Sequence, residues 1–182
     1  MKRIFAAVKI EPQPALLDLL SVLQQQLSAD KIKWVEKENL HLTLKFFGET
    51  PEDKIFEIDQ KLKQIKSEPF DLTIENLKIF GSRYLPRVIF LEATNARPFI
   101  ELNETINRQI MPLGYEPDRQ NFVPHLTLGR INYIADKKHF QQVVDTFAKK
   151  PVQIQHIDNF YLYESVLRHS GPEYLVMETY YF

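Results

Sequence analysis

The sequence predicts an α+β protein with antiparallel sheets. Segments of strand-like composition alternate with segments whose apolar residues recur every three or four positions, the spacing of one helix face. The last two strand-like segments are joined by a short loop, so they can pair antiparallel. The glycines are scattered and form no phosphate-binding loop, which argues against dinucleotide-binding and P-loop folds. Together these observations favour antiparallel sheets over a doubly wound parallel sheet.

In the first half of the chain, clusters of β-branched and aromatic residues predict strands at Arg3–Ile10, Leu40–Phe47, Phe70–Phe80 and Arg87–Ala93. A helix follows Pro12 and Pro14, and its apolar face comprises Leu16, Leu19, Leu20, Leu23 and Leu27. A second helix is predicted from Thr50, as N-cap, with Pro51 in the first turn. Its apolar face comprises Ile55, Ile58, Leu62 and Ile65. The turn residues between Phe80 and Arg87 predict a hairpin.

The second half continues the same alternation of helices and strands. Helices are predicted at Arg97–Met111 and Asp136–Phe147, on either side of a strand at Phe122–Ile131. Closing strands are predicted at Val152–Leu167 and Tyr174–Tyr181, with Gly171 and Pro172 in the loop between them.

Composition limits the class of protein before any motif is considered. The 182 residues, 44% of them hydrophobic, fit one domain or two small joined lobes with a buried core. The absence of cysteine excludes disulfides, thiolate zinc sites and cysteine catalysis. A net charge of −1 argues against a broad nucleic-acid surface and for a local pocket. No signal-peptide core or membrane-length apolar segment is present, so a soluble cytoplasmic protein is expected.

One four-residue sequence occurs twice, as His41-Leu42-Thr43-Leu44 and as His125-Leu126-Thr127-Leu128, 125 − 41 = 84 positions apart. Both copies lie in predicted strands, where alternate side chains share a face. His41 and Thr43 should therefore project together, with Lys45 beyond them, and His125 should share a face with Thr127. If the two strands lie side by side, two imidazoles and two hydroxyls line one cleft.

Two histidines across a cleft can form a general acid–base pair. Imidazole titrates near neutrality, so a neutral ring can accept a proton from an attacking oxygen while a protonated ring donates one to a leaving oxygen. The threonine hydroxyls can donate hydrogen bonds to the non-bridging oxygens of a phosphate. This chemistry suits a phosphodiester and requires no metal or other cofactor.

Other interpretations of the repeat stay open on the residues alone. A histidine on a strand is more often structural than catalytic. The repeat would also arise from a duplication that left no activity. A two-histidine metal site is a third alternative, although no carboxylate lies beside either motif at ligand spacing.

The repeated motif and the phrases around it resemble the 2H phosphoesterase superfamily, and within it the RNA 2′,3′-cyclic phosphodiesterases, also called 2′-5′ RNA ligases. The resemblance runs nearly end to end, and the paired motifs are its most specific part. The phrases that carry it are Arg3-Ile4-Phe5-Ala6-Ala7-Val8, Glu38 to Glu49, Pro86 to Phe90, Phe122 to Arg130 and Leu162-Tyr163-Glu164-Ser165.

The resemblance implies a pseudo-symmetric, two-lobed fold over residues 1–182, with one motif per lobe around a central cleft and helices on the outside. It implies that a 2′,3′-cyclic phosphate is opened to a 2′-phosphate without metal, and that the reverse direction joins RNA ends. By motif, His41 would be the proton donor, His125 the proton acceptor, and Thr43 and Thr127 the phosphate ligands. The expected partners are RNA ends or nucleotides bearing a 2′,3′-cyclic phosphate; no membrane association is expected, and the protein is expected to be a monomer.

Lys45, Arg130 and Phe47 are further candidates for substrate contact. Arg130 matches the family, yet strict alternation points it away from His125. Either Gly129 permits a local twist, or Arg130 is a structural ion-pair partner. Phe46 and Phe47 should point to opposite sides, so one of them is expected in the core and the other is available for stacking.

Three further features complete the expectations from sequence. Trp34 is expected to pack against the core, and Phe90 stands where the family often has Trp. Two residues separate Arg119 from Phe122, whereas the family is expected to have a tighter Arg-x-Phe spacing. The remaining histidines, which lack the Thr two positions on, are expected to be structural or solvent-facing: His139, His156 and His169.

Alternative functions are a non-catalytic nucleotide-binding module and an enzyme for another small cyclic phosphate, such as an ADP-ribose derivative.

Overall fold

A computed structural model describes residues 1–116, 122–169 and 171–182. Its strands are β1 (Lys2–Lys9), β2 (Lys31–Trp34), β3 (His41–Thr50), β4 (Phe70–Ser82), β5 (Leu85–Thr94), β6 (His125–Tyr133), β7 (Pro151–Ile157), β8 (Asn159–Arg168) and β9 (Gly171–Tyr181). Its α-helices are α1 (Pro14–Gln26), α2 (Glu52–Leu62), α3 (Arg97–Ile110) and α4 (Lys137–Phe147). Short 3₁₀ turns at Lys37–Asn39 and Met111–Leu113 complete the described elements.

The strands form two antiparallel sheets, which confirms the predicted α+β class. The first sheet has the order β3-β1-β8-β9, and the second has the order β2-β6-β5-β4-β7. Apart from the extra edge strand β2, the two orders correspond strand by strand, with β3 and β6 in equivalent places. The sheets are therefore related by an approximate two-fold repeat, as a pseudo-symmetric two-lobed fold requires.

The two faces of each sheet have different surroundings. In β1, Ile4, Ala6 and Val8 belong to the main core, whereas Phe5 and Ala7 belong to a small separate cluster on the other face. Helices cover the core faces: α3 packs on β3 and against α2, while α1 and α4 pack on β7 and β4 of the second sheet. In the described part of the chain, helices pack on the core faces only, and the opposite faces carry the histidines and threonines of the two motifs.

The start of α2 differs from the prediction by one residue. Thr50 is not its N-cap: Thr50 ends β3, pairs with Lys2, and donates its hydroxyl hydrogen to the carbonyl of Gly48 at 3.1 Å. The N-cap is Pro51, whose carbonyl accepts the first helical hydrogen bond from Ile55 at 3.0 Å. Pairing with β1 extends β3 to Thr50, beyond the end of the strand predicted at Leu40–Phe47.

One strand prediction was also wrong, and one strand was not predicted. The single strand predicted at Val152–Leu167 is two strands, because the chain bends at Asp158 and passes from the second sheet to the first. Strand β2 was missed, although its sequence alternates lysine with an apolar residue and it pairs with β6. Each of these features depends on pairing with a distant strand, which local composition does not reveal.

Among the described residues, no helix combines the length and apolarity needed to span a membrane.

Candidate active site

The two motifs open equivalent strands that approach each other. His41 is the first residue of β3 and His125 is the first residue of β6, and parts of these strands lie near each other between the sheets. In both motifs the leucines are buried, while the histidine and the threonine are half-buried on the opposite face. The two strands contact each other, and the charge of His125 is close enough to lower the pKa of His41. The structure thus brings together His41, Thr43, His125 and Thr127.

Each imidazole is held by the same hydrogen bond. Nδ1 of His41 lies 2.6 Å from the carbonyl oxygen of Asn39, and Nδ1 of His125 lies 2.7 Å from that of Val123. A carbonyl oxygen can only accept, so Nδ1 carries the hydrogen in both rings. This fixes the tautomer and makes Nε2 the nitrogen that exchanges a proton. Each ring thus keeps Nε2 for proton transfer, as a general acid or a general base requires.

Aromatic rings fix the orientation of both imidazoles. The ring of His41 lies 5.1 Å from those of Phe5 and Tyr174, and Tyr174 meets it edge-on at 89°. The ring of His125 lies 4.8 Å from Phe80, also edge-on, and 5.5 Å from Phe90. Four further aromatic residues therefore support the two histidines.

These supporting aromatic residues were not singled out as site residues by sequence analysis. Phe5 and Phe90 lie in phrases that carry the family resemblance, and the structure pairs their strands, β1 and β5, with the motif strands. Tyr174 and Phe80 lie in β9 and β4, which do not pair with a motif strand, and no local pattern marks them.

Burial lowers the pKa of both histidines. Desolvation is the main cause in each ring, because it disfavours the imidazolium form. The hydrogen bonds to Asn39 and Val123 oppose this shift, while the positive charge of Arg130 adds to it in both rings. The charge of His125 lowers the pKa of His41 further. Both rings are thus biased toward the neutral form.

Both motif strands carry a β-bulge at the last leucine of the motif. In β3, Thr43 pairs with Ala7 and Lys45 pairs with Ala6, so Leu44 is left without a partner. In β6, Thr127 pairs with Phe90 but Gly129 pairs with Ile89, so Leu128 is left out. A bulge inserts one residue and reverses the facing of every residue after it.

The bulge at Leu44 makes the predicted orientation of Lys45 wrong. Because Ala6 and Ala7 are neighbours in β1, Lys45 and Thr43 lie on opposite faces of the sheet. Lys45 is buried, with 3% of its surface exposed, and its Nζ donates to the carbonyl of Glu116 at 2.8 Å. Lys45 therefore points to the core face and not into the cleft beside His41.

The bulge at Leu128 has the opposite consequence for Arg130. Arg130 pairs with Val88, which shares a face with Phe90, the partner of Thr127. Arg130 therefore lies on the same face as His125 and Thr127, and it is exposed. Its charge also lowers the pKa of Tyr174 across the cleft, against the larger effect of burial, which raises that pKa. The local irregularity lies at Leu128 and not at Gly129.

The bulge in β3 also distinguishes the adjacent phenylalanines. Phe46 pairs with Phe5 on the cleft face and is 58% exposed. Phe47 is 8% exposed, belongs to the core and packs edge-on against Tyr115 at 5.4 Å. The structure therefore places Phe46 in the cleft and Phe47, the residue selected from sequence, in the core.

The other residues singled out from sequence lie away from the cleft centre. Trp34 is half-buried against the core, where it lines the space beside Gly129. His156 pairs with Asp71 at 2.7 Å, His139 contacts the carbonyl of Gln26 at 2.9 Å, and His169 is exposed. Arg119 lies outside the described residues.

A small cavity of about 140 Å³ opens beside His41. Its lining is polar and aromatic and comprises Lys9, Glu38, Asn39, Tyr163, Tyr174 and Val176. Asn39 and Tyr174 also contact the His41 ring, so the cavity adjoins the first motif and not the second. Within the described ranges, no cluster of three or more His, Asp or Glu side chains is arranged to hold a metal ion.

The chain is similar over nearly its whole length to proteins named RNA 2′,3′-cyclic phosphodiesterase. RNA 2′,3′-cyclic phosphodiesterase of Methanothermobacter thermautotrophicus is 32% identical over 182 residues, covering 98% of this chain and 97% of that protein. The protein of the same name from Methanocaldococcus jannaschii is 31% identical over 176 residues, covering 97% of this chain and 98% of that protein. Both relatives extend over the two motifs and the elements between them.

Solved structures show the same fold. A protein of Thermus thermophilus superposes with a TM-score of 0.75 at 26% identity, over 98% of this chain and 97% of that chain. Escherichia coli LigT, crystallised with 3′-AMP, has a TM-score of 0.75 at 22% identity, over 100% of this chain and 98% of that chain.

The sequence pattern of the LigT-like phosphoesterases matches this chain twice, over residues 8–90 and 91–174. Each match contains one His-Leu-Thr-Leu motif. Each matched segment contributes strands to both sheets, and the two motif strands, β3 and β6, lie in different sheets. The chain belongs to the LigT-like phosphoesterase family, within the 2H phosphoesterase superfamily.

Proposed function

We propose that the protein hydrolyses the 2′,3′-cyclic phosphates of RNA ends or nucleotides to 2′-phosphates by acid–base catalysis with two histidines. The observation that carries this proposal is the pair of motif imidazoles whose Nδ1 atoms are hydrogen-bonded to backbone carbonyls, which leaves Nε2 of each ring to exchange a proton. The names of the full-length relatives support the substrate class.

The proposed reaction moves two protons while one P–O bond forms and one breaks. Neutral His125 accepts a proton at Nε2 from a water molecule, whose oxygen attacks phosphorus. Protonated His41 donates its Nε2 hydrogen to O3′ as the P–O3′ bond breaks. The products are a 2′-phosphate and a free 3′-hydroxyl, and proton exchange with solvent restores both rings. The assignment of donor and acceptor follows the order of the motifs in the family.

The remaining groups on the cleft face suit a phosphate anion. The hydroxyls of Thr43 and Thr127 would donate to its two non-bridging oxygens, where negative charge increases in the transition state. Arg130 lies on the same face and supplies the positive charge. Each lobe carries only one of the two motif histidines, so we propose that both lobes form a single catalytic domain.

The chemistry of a cyclic phosphate places the nucleoside on one side of the cleft. O2′ and O3′ belong to one ribose, so the nucleoside lies with the leaving oxygen, on the side of His41, and water enters from the side of His125. The cavity of about 140 Å³ and the exposed ring of Phe46 are both on the His41 side. We assign the nucleoside to this side, with Phe46 as a stacking surface.

The same groups would also join RNA ends. If an RNA 5′-hydroxyl replaced water, His125 would activate it and the product would be a 2′-5′ phosphodiester. This is the ligase direction, and it needs no catalytic group beyond those already assigned.

The proposal is tested by incubating the protein in EDTA with RNA ending in a 2′,3′-cyclic phosphate, with cyclic mononucleotides and with a cyclic phosphate of ADP-ribose. Turnover of the RNA end or the nucleotides to 2′-phosphates is expected. Faster turnover of the ADP-ribose derivative would reassign the substrate. Tight binding of every compound without turnover would show a binding module instead.

A further inference from the structure

The carbonyl group of Leu44 requires a hydrogen-bond donor that its own sheet does not supply. Leu44 is the bulged residue of β3, so β1 pairs with the residues on either side of it and not with Leu44 itself. Among the described strands, β3 is the edge strand of the first sheet, so none pairs with it on its other side. A buried carbonyl without a donor is costly.

A side chain from α3 supplies this donor. Nδ2 of Asn103 lies 2.6 Å from the oxygen of Leu44, and Asn103 is 5% exposed. Only the amide nitrogen can donate to a carbonyl, so the contact also fixes which way the Asn103 amide is turned. A side chain of α3 therefore donates a hydrogen bond to the bulged residue of the motif strand β3.

In the second motif, the carbonyl of the bulged residue accepts a hydrogen bond from a different kind of donor. The bulged residue of β6 is Leu128, and its carbonyl accepts a hydrogen bond from the backbone N–H of Val35 at 2.9 Å. Val35 directly follows β2, which lies beside β6 as the outer strand. Within residues 1–116, 122–169 and 171–182, the first sheet has no counterpart of β2, and Asn103 supplies the donor that such a strand would provide.

A second buried asparagine orients the first. Nδ2 of Asn107 donates to both the backbone oxygen and Oδ1 of Asn103, at 3.0 and 3.2 Å. Within the part of the chain that the structure describes, Oδ1 of Asn107 is buried without a hydrogen-bond partner. A buried acceptor left in this way lowers stability, so an apolar pair at these helix positions would be expected to pack at lower cost. The pair of buried asparagines is better explained by the hydrogen bond that Asn103 donates to the Leu44 carbonyl of β3.

We propose that Asn103 is a positioning residue for the first motif, an inference that rests on the proposed function. By holding the Leu44 carbonyl it maintains the bulge, which keeps Thr43 on the cleft face, sends Lys45 to the core and returns Phe46 to the cleft. Without this donor the strand can lose the bulge by slipping one residue, which moves side chains to the opposite face.

The test compares variants of Asn103 with a core variant of the same helix. Asn103→Leu keeps the volume but removes the donor, and Asn103→Asp keeps the shape but presents an acceptor to the Leu44 carbonyl. Ile106→Val alters a buried residue of α3 whose apolar side chain has no group that could donate a hydrogen bond to β3. We expect both Asn103 variants to lower kcat at least tenfold, with KM within threefold, because Thr43 acts mainly on the transition state. Ile106→Val should lower the melting temperature and leave kcat within twofold.

The pH dependence of kcat in Asn103→Asp adds a measurement that a change in packing alone would not affect. A buried carboxyl becomes a donor when it is protonated, so the ratio of its kcat to that of the wild type should rise as the pH falls. Unchanged kcat in Asn103→Leu would overturn the proposal, as would an equal loss in Ile106→Val.

A measurement without substrate separates this inference from the proposed function. In NMR spectra of the free protein, Asn103→Leu should shift the imidazole resonances of His41 and leave those of His125 in place. If the wild type turned over no cyclic phosphate, the proposed function would fail while this experiment still tested the positioning of β3. Equal shifts at both histidines, or at neither, would contradict the role of Asn103.

Discussion

Leu44 and Leu128 occupy the same position in the two motifs, and each is bulged out of the ladder that its strand makes with its neighbour. The two bulges decide which side chains follow the threonines into the cleft. They turn Phe46 and Arg130 toward the histidines and turn Lys45 and Gly129 toward the core. The two halves of the cleft thus differ: one presents an aromatic ring and the other presents a cation.

Replacing either cleft histidine should remove most of the turnover. A positioned acid or base typically contributes about 10²–10⁴-fold, so His41→Ala and His125→Ala should each lower kcat by a factor in that range. His156→Ala is the matched control, since His156 is exposed and pairs with Asp71 away from the cleft. The initial rate with a cyclic nucleotide measures all three. Full activity in either cleft variant would remove that histidine from the mechanism.

The pH profile should reflect the lowered pKa values of both histidines. Burial is the main cause and Arg130 contributes, so both rings lose their protons below the ordinary value of 6.5. The donor must be protonated and the acceptor neutral, so kcat/KM, which reports the free enzyme, should be bell-shaped with its maximum below about pH 6.5. A maximum above pH 7.5 would contradict these shifts.

Removing the charge of Arg130 should move this profile to higher pH. Arg130→Gln deletes a cation that disfavours both imidazolium forms, so both pKa values should rise. The KM should rise as well, because the phosphate loses its cation. Arg97→Gln changes an exposed arginine on α3 and serves as control, with the profile expected to stay in place. A profile unmoved by Arg130→Gln would mean that its charge does not reach the histidines.

Lys45→Met should change stability and not substrate affinity. Nζ of Lys45 donates to the Glu116 carbonyl from a buried position, and hydrogen bonds to charged groups contribute about 1.5–3 kcal/mol. Thermal denaturation should therefore show a lower melting temperature. The KM for a cyclic nucleotide, measured below that temperature, should stay within twofold of the wild type. A tenfold rise in KM would place Lys45 in the cleft after all.

The two phenylalanines of β3 should respond in opposite ways. Phe46→Ala removes an exposed ring and should raise KM by weakening stacking, which is worth about 1–3 kcal/mol per base, with little effect on unfolding. Phe47→Ala removes a buried ring and should cost about 3–5 kcal/mol of stability. Calorimetry and steady-state kinetics on both variants test the assignment. The reverse pattern would show that the ring in the cleft is Phe47.

Much of the fold is visible in the sequence because it depends on local patterns. The leucines of α1 at helical spacing and the alternation in β3 mark elements that the structure contains. The repeated motif identifies both histidines because its two copies have the same residues in the same kind of strand. The resemblance of the surrounding phrases to one family then supplies the class of enzyme.

What the sequence could not show depends on pairing across long distances. Strict alternation placed Lys45 in the cleft and Arg130 outside it, and both orientations were wrong for one reason: a bulge is set by the partner strand and not by the bulged leucine. The support for His41 from Tyr174 likewise arises only when β9 folds beside β8. Asn103 looked like one polar residue of a helix, and its contact with Leu44 appears only in three dimensions.

The most direct test is to identify the product formed in EDTA from RNA ending in a 2′,3′-cyclic phosphate, by ³¹P NMR in water enriched with ¹⁸O. Two-histidine hydrolysis predicts a single product, the 2′-phosphate, with one ¹⁸O atom on phosphorus, and its formation should be lost in the double variant of His41→Ala and His125→Ala. A 3′-phosphate product, or undiminished formation of the 2′-phosphate by the double variant, would contradict it.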